Sequence, residues 1–121
     1  MKCRKGAIGN KMEATAIAKY VKVSPQKARL VIDLIRGKHI EQALSILALN
    51  SKAISRDITK LVKSAVANAE NTKNLNVDSL YVKSAFVDPG PSMKRTHSRA
   101  MGRGTQIKKR SSHITVVLAE R

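Results

Sequence analysis

The sequence predicts an α+β fold: a small three-stranded antiparallel sheet packed against three helices, with a long protruding β-hairpin arm. From residue 14 onward, the chain has one segment of alternating, strand-like pattern, continues with three segments of helical periodicity, and ends with two further alternating segments. Between the last two alternating segments lies a long stretch without acidic residues, since none occurs between Asp88 and Glu120. At 121 residues the chain has the length of one domain with a modest core.

The first predicted elements are a strand over residues 14–23 and a helix that follows at once. The strand is predicted from alternating side chains. Ser24 offers a hydroxyl for the N-cap, and Pro25 suits the first helical position, where no amide hydrogen is needed. Gly37 ends the helix because it tolerates the left-handed conformation. The predicted buried face, which two leucines widen, comprises Ala28, Val31, Ile32, Ile35, Leu30 and Leu34.

Two further helices are predicted over residues 40–49 and 52–70. Asn50 and Ser51 separate them, and residues 71–76 form a polar connection to the next strand. The alanine-rich end of the third helix would let it lie close to a sheet or another helix. The predicted buried side of that helix comprises Ile54, Ile58, Leu61, Val62, Ala65 and Ala69.

The last two strands, residues 80–87 and 114–118, are predicted to pair and to carry the arm between them. The arm has many cations and few apolar residues, so it cannot form a core. Half of it could reach about 40 Å, and a two-stranded ribbon is only marginally stable in water, so we expect it to need a polyanionic partner. The predicted organisation is a basic, flexible N-terminal extension (residues 1–13) and a single domain (14–121) made of a body (14–87 and 114–121) and the arm (88–113).

Composition points to nucleic acid as the partner. The chain has 24 Lys and Arg against 8 Asp and Glu, a formal net charge of +16 and a pI near 10.6. A membrane surface is disfavoured because the basic stretch lacks an amphipathic helix, and no apolar run could span a bilayer. A single cysteine, Cys3, excludes an internal disulfide and indicates a reducing compartment.

Spaced cations and glycines in the arm suit phosphate binding, because guanidinium groups can bridge two phosphate oxygens. The alternative is a disordered, solvated loop. Strand-like flanks and the interleaved Met93, Met101 and Ile107 favour an ordered arm. The residues expected to contact the nucleic acid are Lys27, Arg29, Arg36, Lys38, Lys94, Arg95, Arg99, Arg103, Lys108, Lys109, Arg110 and His113. The four cations of this set that lie in or at the end of the first helix, together with Lys60 and Lys63 on the third, indicate a second contact face.

The three aromatic residues, Tyr20, Tyr81 and Phe86, all fall in predicted core strands, and tryptophan is absent. We therefore expect no platform for stacking unpaired bases, and recognition by backbone charge and shape. Folded RNA and duplex DNA both fit this expectation.

The sequence predicts no catalytic residue, no metal and no cofactor. His39, His97 and His113 are far apart in the sequence, and no paired carboxylates lie beside the arm to hold a metal for phosphodiester cleavage. A nuclease, the enzyme class considered, is therefore disfavoured.

Ordered segments across the chain carry a family resemblance. They are Ser24-Pro25, Lys27–Leu30, Asp33–Lys38 and Ala67–Asn71 in the body, and Val87-Asp88, Gly90-Pro91, Met93–Arg95, Gly102-Arg103 and Lys109–Ile114 in and beside the arm. From Ala14 to Glu120 the chain resembles the bacterial large-subunit ribosomal protein L-twenty-two family, whose hairpin lines the nascent-peptide exit tunnel. The chain departs from the family pattern at Pro89 (usually glutamate), Ser98 (usually proline) and Gly104 (usually alanine), so we expect a more flexible tip.

The resemblance implies a non-enzymatic constituent of the large ribosomal subunit in the cytoplasm, which binds several domains of large-subunit ribosomal RNA and helps assemble them. It implies neighbouring ribosomal proteins and the nascent peptide as further partners, and no membrane. The alternative function is an architectural DNA-binding protein with a basic β-ribbon, a design that usually has an apolar wedge at its tip. The tunnel-lining tip implied by the resemblance comprises Met93, Lys94, Arg95, Thr96, His97, Ser98 and Arg99.

Overall fold

Five strands and three helices follow one another along residues 12–121, the part of the chain that the computed structural model describes. Two short 3-10 turns lie at Val77–Ser79 and Ala100–Gly102. In chain order the strands and helices are β1 (Glu13–Val21), α1 (Pro25–Ile35), α2 (Ile40–Leu49), α3 (Ile54–Lys73), β2 (Leu80–Pro89), β3 (Met93–Ser98), β4 (Gly104–Lys109) and β5 (Ser112–Glu120).

The last strand of the chain, β5, forms the centre of the sheet. It pairs antiparallel with β1 on one side and with β2 on the other. Ile114, Val116 and Leu118 point from β5 into the core, while the opposite face, with Ile17 and Phe86, is partly exposed. The predicted three-stranded antiparallel sheet is confirmed.

The three helices pack over the sheet in the predicted α+β arrangement. Helix α3 lies mainly on β1, α1 lies mainly on β2, and α2 packs against both helices. The small residues Ala65 and Ala69 of α3 are fully buried, as predicted. The prediction that Leu30 and Leu34 belong to the buried face of α1 was wrong. These side chains are 60% and 48% exposed, because only the stripe formed by the other apolar residues of α1 contacts β2 and α2.

The predicted ends of α1 and α2 hold, while the other predicted elements shift at one end or both. Helix α1 begins at Pro25 after Ser24, but the Ser24 hydroxyl makes no capping hydrogen bond. Helix α3 runs to Lys73, three residues beyond the prediction, and ends at Asn74 in the left-handed conformation. Strand β1 ends at Val21 instead of residue 23, and a bulge interrupts its pairing with β5 between Ala18 and Val21.

Side chains from the helices cover backbone carbonyls on both edges of the sheet. On the β2 edge, Arg29 donates to the Val87 carbonyl at 3.0 Å, and Arg36 donates through Nε and Nη2 to the Ala85 carbonyl at 3.1 and 2.8 Å. On the β1 edge, the Asn68 amide donates to the Thr15 carbonyl at 3.3 Å. Exposed strand edges can pair with other chains, and these bonds occupy acceptors there.

Strands β3 and β4 form a separate two-stranded ribbon, the arm. At its root the Gly90 amide donates to the Ser111 carbonyl at 2.9 Å, and the Ser111 hydroxyl donates to the Pro91 carbonyl at 2.7 Å. A Cβ on Gly90 would lie 2.5 Å from the Ser111 Oγ, so the two sides of the root meet too closely for a larger residue. Six paired residues per strand correspond to about 20 Å of ribbon.

Residues 1–11 of the N-terminal extension predicted for residues 1–13, with Cys3 among them, lie outside the described residues. The assignment of Glu13 to the extension was wrong, because Glu13 is the first residue of β1. None of the described helices is long and apolar enough to span a bilayer.

Candidate nucleic-acid interface

The arm exposes a row of cations to solvent. Every residue from Pro91 to Arg110 is exposed, and none of these residues is acidic. Lys94 lies directly opposite Lys108 in the β3–β4 register. Like charges directly opposite each other destabilise a strand pair, so an anion bound between them would favour the ribbon. The predicted arm cations are thus brought together on one exposed element.

Six of the seven residues predicted to form the tip occupy strand β3, and Arg99 alone lies in the turn at the end of the arm. Met93–Ser98 pair with β4, and the turn runs from Arg99 to Arg103, closed by a 2.7 Å bond from the Arg99 amide to the Arg103 carbonyl. Met101, with φ of +61°, is 97% exposed at this turn, so the end of the arm presents an apolar side chain to solvent.

Two departures from the family pattern face each other at the end of the arm. Ser98 and Gly104 form the last pair of the β3–β4 ladder. Pro89 is the last residue of β2 and lies opposite Ser112. The greater flexibility expected at the tip stays a prediction.

The body cations predicted to bind RNA have different surroundings. Lys27 is exposed beside the root of the arm, and Lys38 is exposed toward the opposite end of the sheet, next to Val82. Arg29 and Arg36 instead donate hydrogen bonds to the edge of β2, so these guanidinium groups have a structural role that no local sequence pattern indicates.

The His113 side chain also has an intramolecular partner. Its Nδ1 accepts a 3.0 Å hydrogen bond from the Tyr20 amide, and the two rings meet edge to face with centroids 4.9 Å apart. The imidazole therefore supports β1 and Tyr20 from the central strand. An RNA contact through Nδ1 would require this bond to break.

A cleft of about 950 Å³, the root cleft, separates the root of the arm from the body. Six of its lining side chains are cationic, and none of the described residues that line it is acidic. Apolar side chains fill the spaces between the cations. The lining comprises Tyr20, Lys22, Val23, Ser24, Lys27, Leu30, Lys52, Ala53, Ile54, Pro91, Met93, Lys108, Lys109, Arg110 and Ser111.

The expectation of no exposed aromatic platform was wrong. Tyr20 is 64% exposed and Phe86 is 44% exposed. Tyr20 lies in the bulge of β1 with φ of +59°, outside the alternating pattern of the strand, and it lines the root cleft. Sequence alternation gave no signal of this bulge.

A second basic surface follows α3. The expected cations Lys60 and Lys63 are joined by Lys52 and Arg56, and together they line a groove of about 670 Å³ near the junction of α2 and α3. In the sequence, Lys52, Arg56 and Lys60 follow one another at intervals of four residues, and Lys63 follows three residues later. Residues at these intervals lie on one face of a helix. Counting that spacing would have found the two missed residues.

An ion pair crosses the outer face of the sheet far from the arm. Lys83 of β2 donates to Glu13 of β1, and this bond raises the pKa of Lys83 above its usual value of 10.5. Within residues 12–121, no group of three or more His, Cys, Asp or Glu side chains is placed to hold a metal ion.

Comparison with known proteins identifies the family. Residues 16–119 match the sequence model of the family described as ribosomal protein L22p/L17e. The chain belongs to this family. The match covers the helices, the sheet and the whole arm, so the L22p/L17e family includes both the body and the basic ribbon described above.

Individual members of the L22p/L17e family are closely similar to the chain over most of its length. A protein of Syntrophobacter fumaroxidans named "Large ribosomal subunit protein uL22" is 57% identical over 110 residues, which cover 91% of this chain and all of the relative. Relatives of the same name from Thermoanaerobacter sp. and Halothermothrix orenii are 54% and 57% identical, again over 91% of this chain, and the matches cover 99% and 97% of the relatives.

Family membership confirms the resemblance and decides between the predicted functions. As a member of the L22p/L17e family, the chain is a structural, non-enzymatic constituent of the ribosome. The architectural DNA-binding alternative receives no support from the family match.

Proposed function

We propose that the chain binds large-subunit ribosomal RNA with its arm and with the end of the body that carries the root cleft, and that it joins several RNA domains during assembly. The observation that carries this proposal is the exposed, acid-free ribbon in which Lys94 and Lys108 face each other. A ribbon of this charge is poorly stabilised alone and gains from phosphates on both faces.

The contacts proposed to dominate are those of the arm. Seven cations project from it without an intramolecular carboxylate among the described ion pairs, and Lys27 extends their surface onto the body. Among residues 12–121, β3 and β4 pair only with each other, and their side chains are exposed to solvent, where RNA can reach them. The proposed RNA-binding residues of this surface with side chains unengaged by the described hydrogen bonds are Lys27, Lys94, Arg99, Arg103, Lys108, Lys109 and Arg110. Lys38, equally unengaged, is proposed as a separate contact at the opposite end of the sheet.

The salt dependence of RNA affinity tests this proposal. Each neutralised phosphate contributes about −0.7 to −0.9 to the slope of log affinity against log salt concentration. Replacing Arg99, Arg103 and Arg110 by alanine should therefore flatten the slope for large-subunit RNA by about 2 to 3. As a control, alanine at Lys73 and Arg121, at the opposite end of the body, should leave the slope unchanged.

An unchanged slope in the arm variant would show that the arm is not the binding element. Weakened binding with equal slopes in both variants would also contradict the proposal, because loss of charge contacts must change the number of released counterions. Parallel titration with duplex DNA measures the preference between the two polymers.

We further propose that residues Met93–Arg99 line the tunnel and that the nascent peptide passes them. This proposal is supported by the exposure of all these side chains along β3. A photo-crosslinking residue at His97, in ribosomes that carry the variant, should attach to a stalled nascent chain. The same residue at Lys38 should not, and equal attachment at both positions would overturn the proposal.

A further inference from the structure

We infer that the root cleft binds one unpaired nucleotide of RNA, with its base stacked on Tyr20 and its phosphates held by the surrounding lysines. This inference rests on the proposed RNA-binding function and adds to it a specific class of RNA element, a bulged or single-stranded nucleotide. A binding mode of this kind differs from the charge-and-shape recognition of the ribbon.

The size and lining of the cleft suit this ligand. Its volume of about 950 Å³ falls within the range of small-molecule sites, about 300–1,000 Å³. Lys27, Lys52 and Lys108 approach it from α1, from the start of α3 and from β4, so cations surround the space on three sides. Apolar side chains such as Leu30 and Ile54 lie between them. A nucleotide combines negatively charged phosphates with a flat, partly apolar base, so it complements both the charge and the apolar surface of the cleft.

Tyr20 is held in position to act as the stacking surface. The bulge in β1 places it at φ of +59°, a conformation that is unfavourable for a bulky residue and persists where the surroundings fix it. Here the His113 ring holds Tyr20 in place, because it accepts the hydrogen bond from the Tyr20 amide and contacts the phenol ring edge to face. With 64% of its surface exposed, the phenol ring is available to a base.

The start of α1 adds donors on the same side. Ser24 lines the cleft and its hydroxyl makes no capping bond, while the first turn of α1 contains no acidic residue. Free amides at the start of a helix favour anions, so the start of α1 and the surrounding lysines favour the same kind of ligand.

Other occupants fit the cleft less well. Residues 1–11 carry four cations and no acidic residue, so they have the wrong sign of charge. Paired bases in a duplex are stacked on their neighbours and cannot insert between the arm and the body. An acidic peptide would match the charge but would not use the aromatic ring.

Tyrosine fluorescence gives a direct test, because the chain has two tyrosines and no tryptophan. The Tyr81→Phe variant emits only from Tyr20, and the Tyr20→Phe variant emits only from Tyr81. A single-stranded adenylate hexamer should quench the first variant and not the second. An RNA duplex of equal length should bind without quenching either.

Affinity measurements complete the test. Tyr20→Leu should weaken binding of the hexamer by roughly 5- to 160-fold, the range for loss of one base–aromatic stack, while the salt slope stays unchanged. Tyr20→Phe should keep the affinity. Phe86→Leu, at an exposed aromatic residue outside the cleft, is the matched control and should have no effect.

The outcomes separate this inference from the proposed function. If Tyr20→Leu binds the hexamer as tightly as the parent chain, or if the duplex quenches Tyr20 equally, the inference is wrong while RNA binding by the arm stands. Failure of the parent chain to bind large-subunit RNA would instead contradict the proposed function. Circular dichroism of each variant confirms that it is folded.

Discussion

Replacement of Arg36 by lysine separates a structural role of this residue from an RNA-binding role. The Arg36 guanidinium donates twice to the Ala85 carbonyl, at 3.1 and 2.8 Å, and its Nη1 lies 3.0 Å from an oxygen of Asp33. Lysine keeps the positive charge but cannot reproduce this planar fork. Arg36→Lys should therefore weaken the attachment of α1 to the edge of β2 while leaving the charge of the surface unchanged.

The expected loss is about 1–2 kcal/mol of unfolding free energy. Hydrogen bonds to charged groups contribute about 1.5–3 kcal/mol when buried, and this pair is only partly buried, so the lower part of the range applies. The contact with Asp33 adds at most about 0.5 kcal/mol, because both side chains are half exposed. For a domain near this size, each kcal/mol lowers the midpoint of thermal unfolding by roughly 4–8 °C.

Urea unfolding followed by far-UV circular dichroism measures this loss, and Arg103→Lys provides the control. Arg103 is exposed on the arm, and no described hydrogen bond of its side chain reaches the body, so the same substitution there should change stability by less than about 0.5 kcal/mol. Equal urea midpoints for the two variants would refute the structural role of Arg36. Unchanged stability with weakened RNA binding would instead support an RNA contact.

Three other predictions concern backbone strain, arm charge and pH. Gly37→Ala should destabilise the chain by about 1 kcal/mol, because Gly37 has φ of +76° and a Cβ is disfavoured there; an unchanged urea midpoint would contradict this. Lys108→Glu should turn the repulsion from Lys94 into a cross-strand attraction of roughly 0.2–1 kcal/mol, so amide exchange in the arm should slow while RNA affinity falls. Tighter RNA binding would refute that reasoning. Because the bond to Glu13 raises the pKa of Lys83, the pair stabilises the fold below pH 10.5 and loses this effect as the pH rises through the higher folded pKa. The difference in urea midpoint between the parent chain and Glu13→Gln should therefore disappear at strongly alkaline pH, and a difference that persists there would be contrary to the expectation.

Much of the body could be predicted because periodicity and burial agree there. The buried side of α3, with Ile58 and Val62 at its centre, follows directly from the spacing of apolar residues. The pairing of β2 with β5 follows from alternation on both sides of the arm. Pro25 marks the start of α1 because its ring fixes φ and needs no hydrogen-bond partner.

The errors arose where a side chain's surroundings depend on distant elements. Periodicity locates the apolar face of α1 but not its width, which is set by how much of the helix β2 and α2 cover, so Leu30 was assigned to the core. Tyr20 lies in a bulge that shifts the pairing register of β1 and β5. The alternation of apolar and polar residues does not reveal such a bulge. The carbonyl partner of Arg36 lies 49 residues away, and nothing in the local sequence indicates it.

The position of the turn was also missed for a physical reason. Glycines and a proline occur at several points of the arm, so more than one turn is compatible with its composition. In the structure, consecutive positive φ values at Met101 and Gly102 select the turn, and the non-glycine member of the pair could not be predicted from propensity.

The covered edges of the sheet have a consequence for copies of the protein that await RNA. Arginine and asparagine side chains already occupy carbonyls on β2 and β1, so a strand from another molecule would have to displace them before the body could grow into a fibril. The ribbon of the arm relies on mutual repulsion between molecules for the same protection. Surplus protein should therefore stay dispersed at low ionic strength and begin to aggregate through its arms when salt screens that repulsion.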